Sequence, residues 1–235
     1  MTEITAKTPW AGLTGDVPLH LDYFDGSMFE ALELVAKKYP RNIAFDFMGK
    51  ATTYPQMIEE IKKCARSLKT IGVRAGDKVT IAMPNCPQAI YMFYAVNLVG
   101  GIANMIHPLS AEKEIEFYLN ESESVTAITL DQFYNKFESI RQNTKVVNII
   151  IASVKDELSK PVRAGYMLTE GRKIAKIPKD APVCLLYTSP CEIHRRGLAL
   201  RVGIGRHDDL VDAAGGDALD EGLDLQIVWT DVVHR

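Results

Sequence analysis

From Val79 to Ala111 the chain carries no Asp, Glu, Lys or Arg, and Ala89 to Ile106 within that stretch is largely apolar. Such a run has two physical outlets: a membrane-spanning helix, or chain buried on all sides within a folded core. Pro84 and Pro87, the Gly100-Gly101 pair and the polar Asn97 and Asn104 divide it into strand, helix and strand. A buried βαβ unit accounts for this division, because strands covered on both faces read as short continuous apolar runs. No transmembrane segment is expected.

The alternation continues on both sides. Ser27 followed by Glu30 forms a capping box, and Met28, Phe29, Leu32, Val35 and Ala36 then recur at helical spacing until Tyr39-Pro40. Ile43 to Phe47 and Ala51 to Tyr54 read as short strands around a turn at Gly49. Thr53 with Gln56 is a second capping box, with Pro55 in the first turn where its missing N–H is harmless. The helix it opens lines Met57, Ile58, Ile61, Cys64, Ala65, Leu68 and Ile71 along one stripe and stops at Gly72. Lys78 to Met83, Ile102 to Ile106, Val125 to Thr129 and Val146 to Ile151 read as strands. Helices are expected over Pro87 to Val99, over Ala111 to Asn120 with Ser110 as cap, and over Asp131 to Arg141. Residues 161–179, rich in Lys and Arg and bounded by Pro161 and Pro178, read as a solvated loop or short edge element rather than a docking patch. Strands alternating with helices predict an α/β fold, a mainly parallel sheet flanked by helices on both faces.

With 235 residues, 47% of them hydrophobic, the chain can bury a sizeable core, and a net charge of -3 gives no whole-chain basic footprint of the kind a nucleic-acid or anionic-membrane binder shows. The four cysteines have no zinc-site spacing and no disulfide framework, which points to a cytoplasmic setting. Residues 1–24 lack the apolar core of a secretory signal and read as an extended arm. Residues 184–235 contain no Lys, 5 Arg and 9 acidic residues, against 16 Lys and 6 Arg in residues 1–183. A shift of that kind marks a boundary between segments of different origin, expected near Cys184.

Several residues carry both a chemical and a structural reading. Gly203-Ile204-Gly205 lacks a third glycine and reads as a turn rather than a dinucleotide loop. His207, Asp208, Asp209 and Asp212 read as an acidic helix start rather than metal ligands. His107 ends a strand without an identified acid or nucleophile partner and reads as structural. Cys86 reads as a small buried side chain rather than a reactive thiol, and Met92, Phe93, Val96 and Val99 read as core rather than an acyl tunnel.

These residues together resemble the adenylate-forming acyl- and aryl-CoA synthetases. The resemblance rests on Ser27-Met28-Phe29-Glu30 with Tyr39-Pro40, Thr53-Tyr54-Pro55-Gln56, and Gly72-Val73-Arg74-Ala75-Gly76-Asp77-Lys78-Val79. Met83-Pro84-Asn85-Cys86-Pro87, Gly100-Gly101-Ile102-Ala103, Pro108-Leu109 and Leu119-Asn120-Glu121-Ser122 follow in register, so that it runs from about Asp25 to at least Ile151, with a flavour nearest to long-chain fatty-acid members. It implies ATP-dependent, AMP-forming ligation of a carboxylate to coenzyme A, with ATP, Mg2+ and CoA used by intact members.

It also implies a Gly/Ser/Thr-rich phosphate loop. Leu185-Leu186-Tyr187-Thr188-Ser189 matches the strand and its first residues, making Tyr187, Thr188 and Ser189 the remnant of that loop, but Pro190-Cys191-Glu192-Ile193-His194 stands where the glycines belong. Proline removes an N–H donor and Glu192 adds negative charge beside phosphate. The chain is therefore expected to be an N-terminal α/β subdomain over residues 25–183, inert by itself and without a cofactor, metal ligands or catalytic residues of its own. Residues 184–235 are expected to be an unrelated or frame-shifted tail, compatible with disorder. A non-catalytic binding module derived from the same fold is the alternative reading. No protein partner is indicated.

Overall fold

The computed structural model describes Leu13, residues 21–178, Ala181 and residues 183–186. Two strands, β1 (Ile43–Phe47) and β2 (Lys50–Thr53), pair antiparallel as a hairpin. Its turn residues Met48 and Gly49 have φ of 52° and 80°, the left-handed backbone that a two-residue hairpin turn requires, and the Asp46 carboxylate accepts from the Gly49 N–H at 3.0 Å.

The other five strands are β3 (Lys78–Ala82), β4 (Ile102–Met105), β5 (Thr126–Leu130), β6 (Asn148–Ala152) and β7 (Cys184–Leu185). All pair in parallel, in the order β4-β3-β5-β6-β7. Successive residues of β6 enter different apolar clusters: Ile149 and Ile151 pack into one, Ile150 and Ala152 into the other. Alternation along a strand means that both sheet faces are covered. Helices α1 (Met28–Lys38), α2 (Tyr54–Thr70) and α3 (Pro87–Val99) contribute to the first cover; α4 (Glu112–Glu121) and α5 (Tyr134–Ile140) contribute to the second. The expected α/β sheet with helices on both faces is the observed architecture.

Local sequence explains the helix starts. In α1, Ser27 Oγ accepts from the Glu30 N–H at 3.1 Å while Glu30 Oε2 accepts from the Ser27 N–H at 2.6 Å. At α2 the Gln56 side chain accepts from the Thr53 N–H at 2.9 Å. Met57, Ile61, Cys64, Ala65 and Leu68 are buried along the predicted stripe. The apolar run divides as expected, with α3 bounded by Pro87 and Gly100, and Asn97 satisfied by accepting from the Phe29 N–H of α1 at 3.0 Å. Among the described residues no helix is long and apolar enough to cross a membrane. At the sheet edge, β4 leaves Ile102 and Met105 about half exposed, at 53% and 51%.

Three expectations change. The α4 cap is Ala111 rather than Ser110, since Glu114 reaches back to the Ala111 N–H at 3.3 Å. The helix expected over 131–141 has 3-10 turns, Asp131–Phe133 and Arg141–Asn143, on either side of α5. The basic stretch after Ser159 opens as a helix, α6 (Lys160–Thr169), rather than a loop. Pro161 lies in its first turn, where no N–H donor is lost, and Arg163, Ala164, Met167 and Leu168 are good helix formers.

Candidate functional site

The strand order determines where a ligand can sit. The chain passes from β3 to β4 on one side, then crosses back to β5 on the other, so the connections leaving β3 and β5 diverge. Open α/β sheets place ligands in the crevice beyond the carboxyl ends of strands at such a reversal. A cleft of about 550 Å³ lies there. It is lined by Met83, Pro84 and Asn85 after β3, by Met105 to Leu109 at the end of β4, and by Gln132 and Phe133 after β5. Its walls are largely apolar, with Asn85, His107 and Gln132 as the polar groups.

The cleft is braced from behind. Lys136 of α5 donates to the carbonyls of Ser110 at 2.9 Å and Leu109 at 3.4 Å, and its ammonium lies 5.9 Å from the Phe133 ring centre. This ties the loop after β4 to the helix after β5. Farther along the same edge, the buried Gln88 donates to the Ser153 carbonyl at 2.9 Å, and the Ser153 hydroxyl donates to Asp131. The other Asp131 oxygen accepts from the Gln132 N–H at 2.8 Å. Side chains from the start of α3 and the ends of β5 and β6 thus form one hydrogen-bonded belt, which satisfies a carboxylate with little access to water.

Just beyond this belt, Asp156 sits in a 3-10 turn, Val154–Glu157. Burial pushes its carboxyl above the ordinary value, outweighing the opposing pull of Lys155 and Arg163. A raised folded-state value means that the ionised group disfavours folding at neutral pH, and that this penalty disappears once both states are protonated. Asp156→Asn is therefore expected to melt above the parent at about pH 7, with the gap closing near pH 3. A gap that widens on acidification would contradict this sign.

Of the residues singled out from sequence, His107 is exposed and lines the cleft, and its Nδ1 accepts from the Leu109 N–H at 3.3 Å. An acceptor at Nδ1 places the proton of the neutral ring on Nε2. Cys86 is buried as the N-cap of α3, and burial raises its thiol more than the Ala89 and Gln88 N–H groups lower it. It is not a poised nucleophile. Met92, Val96 and Val99 are buried in the first apolar cluster with Phe93 packed against it, the core role expected of them. Among the described residues no group of three or more His, Cys, Asp or Glu is placed to hold a metal ion.

Tyr187, Thr188 and Ser189 lie outside the described residues, as do Gly203, Gly205, His207, Asp208, Asp209 and Asp212. The described chain leads directly up to the first three: β7 pairs with β6, and the Leu186 N–H donates to the Ile151 carbonyl at 2.9 Å. Sequence reading missed Met105, Gln132 and Phe133 as site residues. Their common signal is position, since each lies at or just after the carboxyl end of a strand.

Comparison with known proteins is consistent with this geometry. The family model described as AMP-binding enzyme matches residues 32–190. A long-chain-fatty-acid–CoA ligase of Bacillus subtilis (strain 168) is 32% identical over 170 residues, covering 72% of this chain and 30% of that protein. The corresponding ligase of Salmonella typhimurium is 29% identical over 134 residues, 57% of this chain and 24% of that protein. The chain thus spans about a quarter to a third of the length of these relatives. Among solved structures, a long-chain-fatty-acid–CoA ligase from Archaeoglobus fulgidus aligns with a TM-score of 0.52 at 24% identity, over 56% of this chain and 28% of that one. The N-terminal domain of FACL13 from Mycobacterium tuberculosis aligns with a TM-score of 0.52 at 27% identity, over 56% and 35%.

Proposed function

Because this chain belongs to the AMP-binding enzyme family, we propose that it is the amino-terminal α/β portion of an AMP-forming fatty acid–CoA ligase. In that reaction a carboxylate oxygen attacks the α-phosphorus of ATP, releasing pyrophosphate and leaving an acyl-adenylate. The CoA thiol then displaces AMP at the acyl carbon and loses its proton. The observation that carries the reading is a family match over residues 32–190, together with a cleft at the carboxyl edge of the sheet it includes.

In this reading the cleft supplies one wall of the substrate site. Met83, Met105, Ile106 and Phe133 offer apolar surface to hydrocarbon, and His107, Asn85 and Gln132 offer polar contacts at its rim. The belt joining Gln88, Ser153 and Asp131 holds the ends of β5 and β6 in place beside the strand that leads into Tyr187, Thr188 and Ser189. The family match reaches residue 190, which supports these three as the start of a phosphate loop. The residues that follow do not fit a phosphate: Pro190 has no N–H to donate, and Glu192 brings negative charge.

We therefore expect the chain by itself to retain a substrate wall without adenylating. ATP–pyrophosphate exchange with palmitate should stay at background, while a fluorescent fatty acid should bind and be displaced by palmitate. Exchange above background would overturn the inertness. Absence of fatty-acid binding would remove the substrate wall.

A further inference from the structure

Helix α6 has no buried residue. Half-buried Val162 and Tyr166 turn toward the rest of the chain, whereas Ala164, Met167 and Leu168, spaced i, i+3 and i+4, share the opposite face. Leu168 is 84% exposed and Met167 45%. An apolar ridge on the outside of a helix contributes nothing to its own fold. Cations flank the ridge along the chain. Exposed Lys160 lies one turn before Ala164, and Arg163 one turn before Met167, anchored by its Nε donating to the Lys155 carbonyl at 2.7 Å. Arg172, Lys173 and Lys176 follow the helix, all exposed. Glu170 is the one acidic residue from 158 to 178, and it pairs with Lys173 at 2.7 Å.

This basic, outwardly apolar segment stands on a chain whose formal net charge is -3. The local excess of positive charge is thus a property of this face and not of the whole molecule. We propose that α6 and the turn after it dock the chain on an anionic lipid surface. Met167 and Leu168 would enter the headgroup–acyl boundary while Lys160, Arg172 and Lys176 lie against lipid phosphates. The charge pattern selects this occupant. An apolar protein groove would satisfy the ridge but leave the flanking cations without a complement, whereas an anionic bilayer meets both at once. The inference is independent of the ligase reading, since it uses neither the cleft nor the segment after Ser189.

Flotation of the full chain with vesicles tests it. Binding is expected to vesicles of phosphatidylcholine with about one-third phosphatidylglycerol, to be at least tenfold weaker on phosphatidylcholine alone, and to fall as salt rises. Met167→Asp with Leu168→Asp, and separately Lys160→Glu with Arg172→Glu, are each expected to reduce anionic-vesicle binding at least tenfold. Phe117→Asp, an exposed residue of α4, should leave it unchanged. Because every substituted side chain is exposed, all these variants should keep the parent melting temperature, which separates loss of docking from loss of fold. Equal binding to neutral and anionic vesicles, or undiminished binding by both double variants, would overturn the proposal. So would a self-associated form that dissociates on Leu168→Asp, which would make the face a protein–protein contact.

Discussion

Leu68→Ala is expected to destabilise the chain by about 3 kcal/mol, and in a unit of this size to lower the melting temperature by roughly 8 °C. Leu68 is fully buried on α2, in the same cluster as Ile61, Met92 and Val96, where α2 lies against α3 over the first face of the sheet. Truncation removes the transfer free energy of the lost methyl and methylene groups. It also leaves a void that two helices held by contacts of their own cannot close. The Gln56–Thr53 contact fixes the start of α2, and the Phe29–Asn97 hydrogen bond ties α3 to α1. Leu34→Ala is the matched control, because Leu34 is 51% exposed on α1 and its truncation should cost less than about 0.5 kcal/mol. Comparable losses at both positions in denaturant titrations would mean that the α2–α3 contact does not organise the core.

What was legible in the sequence follows from how local each signal is. The bounds of α3 were readable because Pro87 opens the helix and Gly100 closes it, each by its own backbone chemistry. The parallel sheet was readable because β-branched runs alternated with helical stripes. Which strands lie beside one another was not. The order β4-β3-β5 reflects a reversal that no short stretch of chain encodes, and the cleft exists only because that reversal brings Asn85, His107 and Gln132 together from distant positions. His107 was therefore weighed without its surroundings. Helix α6 was misread for a different reason: Pro161 and the surrounding lysines are breakers or solvated residues by composition, yet Pro161 falls in the first turn, where its effect reverses.

The largest backbone effect is expected at the turn between α3 and β4. Gly100 has φ 81° and ψ 14°, the left-handed region, and its N–H donates to the Asn97 carbonyl at 2.9 Å, closing α3. A Cβ built there would lie 3.1 Å from the Ala75 Cβ. Left-handed backbone costs an L-residue about 1–2 kcal/mol, and a β-branched side chain adds steric strain against the neighbouring turn, so Gly100→Val is expected to lose about 3 kcal/mol. The Gly100 carbonyl also accepts from the Gly76 N–H at 2.9 Å, and the Ile102 N–H donates to the Asp77 carbonyl at 2.8 Å. The turn thus sets the register in which Lys78 faces Ile102, and through β4 the position of Met105 to Leu109 in the cleft wall. Fatty-acid binding should weaken with stability in this variant. Gly165→Ala provides the opposite case. That glycine lies inside α6 with open space around its Cβ position, and alanine there should stabilise by about 0.5–1 kcal/mol. Equal and small effects at the two sites would show that neither the left-handed turn nor the contact with Ala75 constrains the chain.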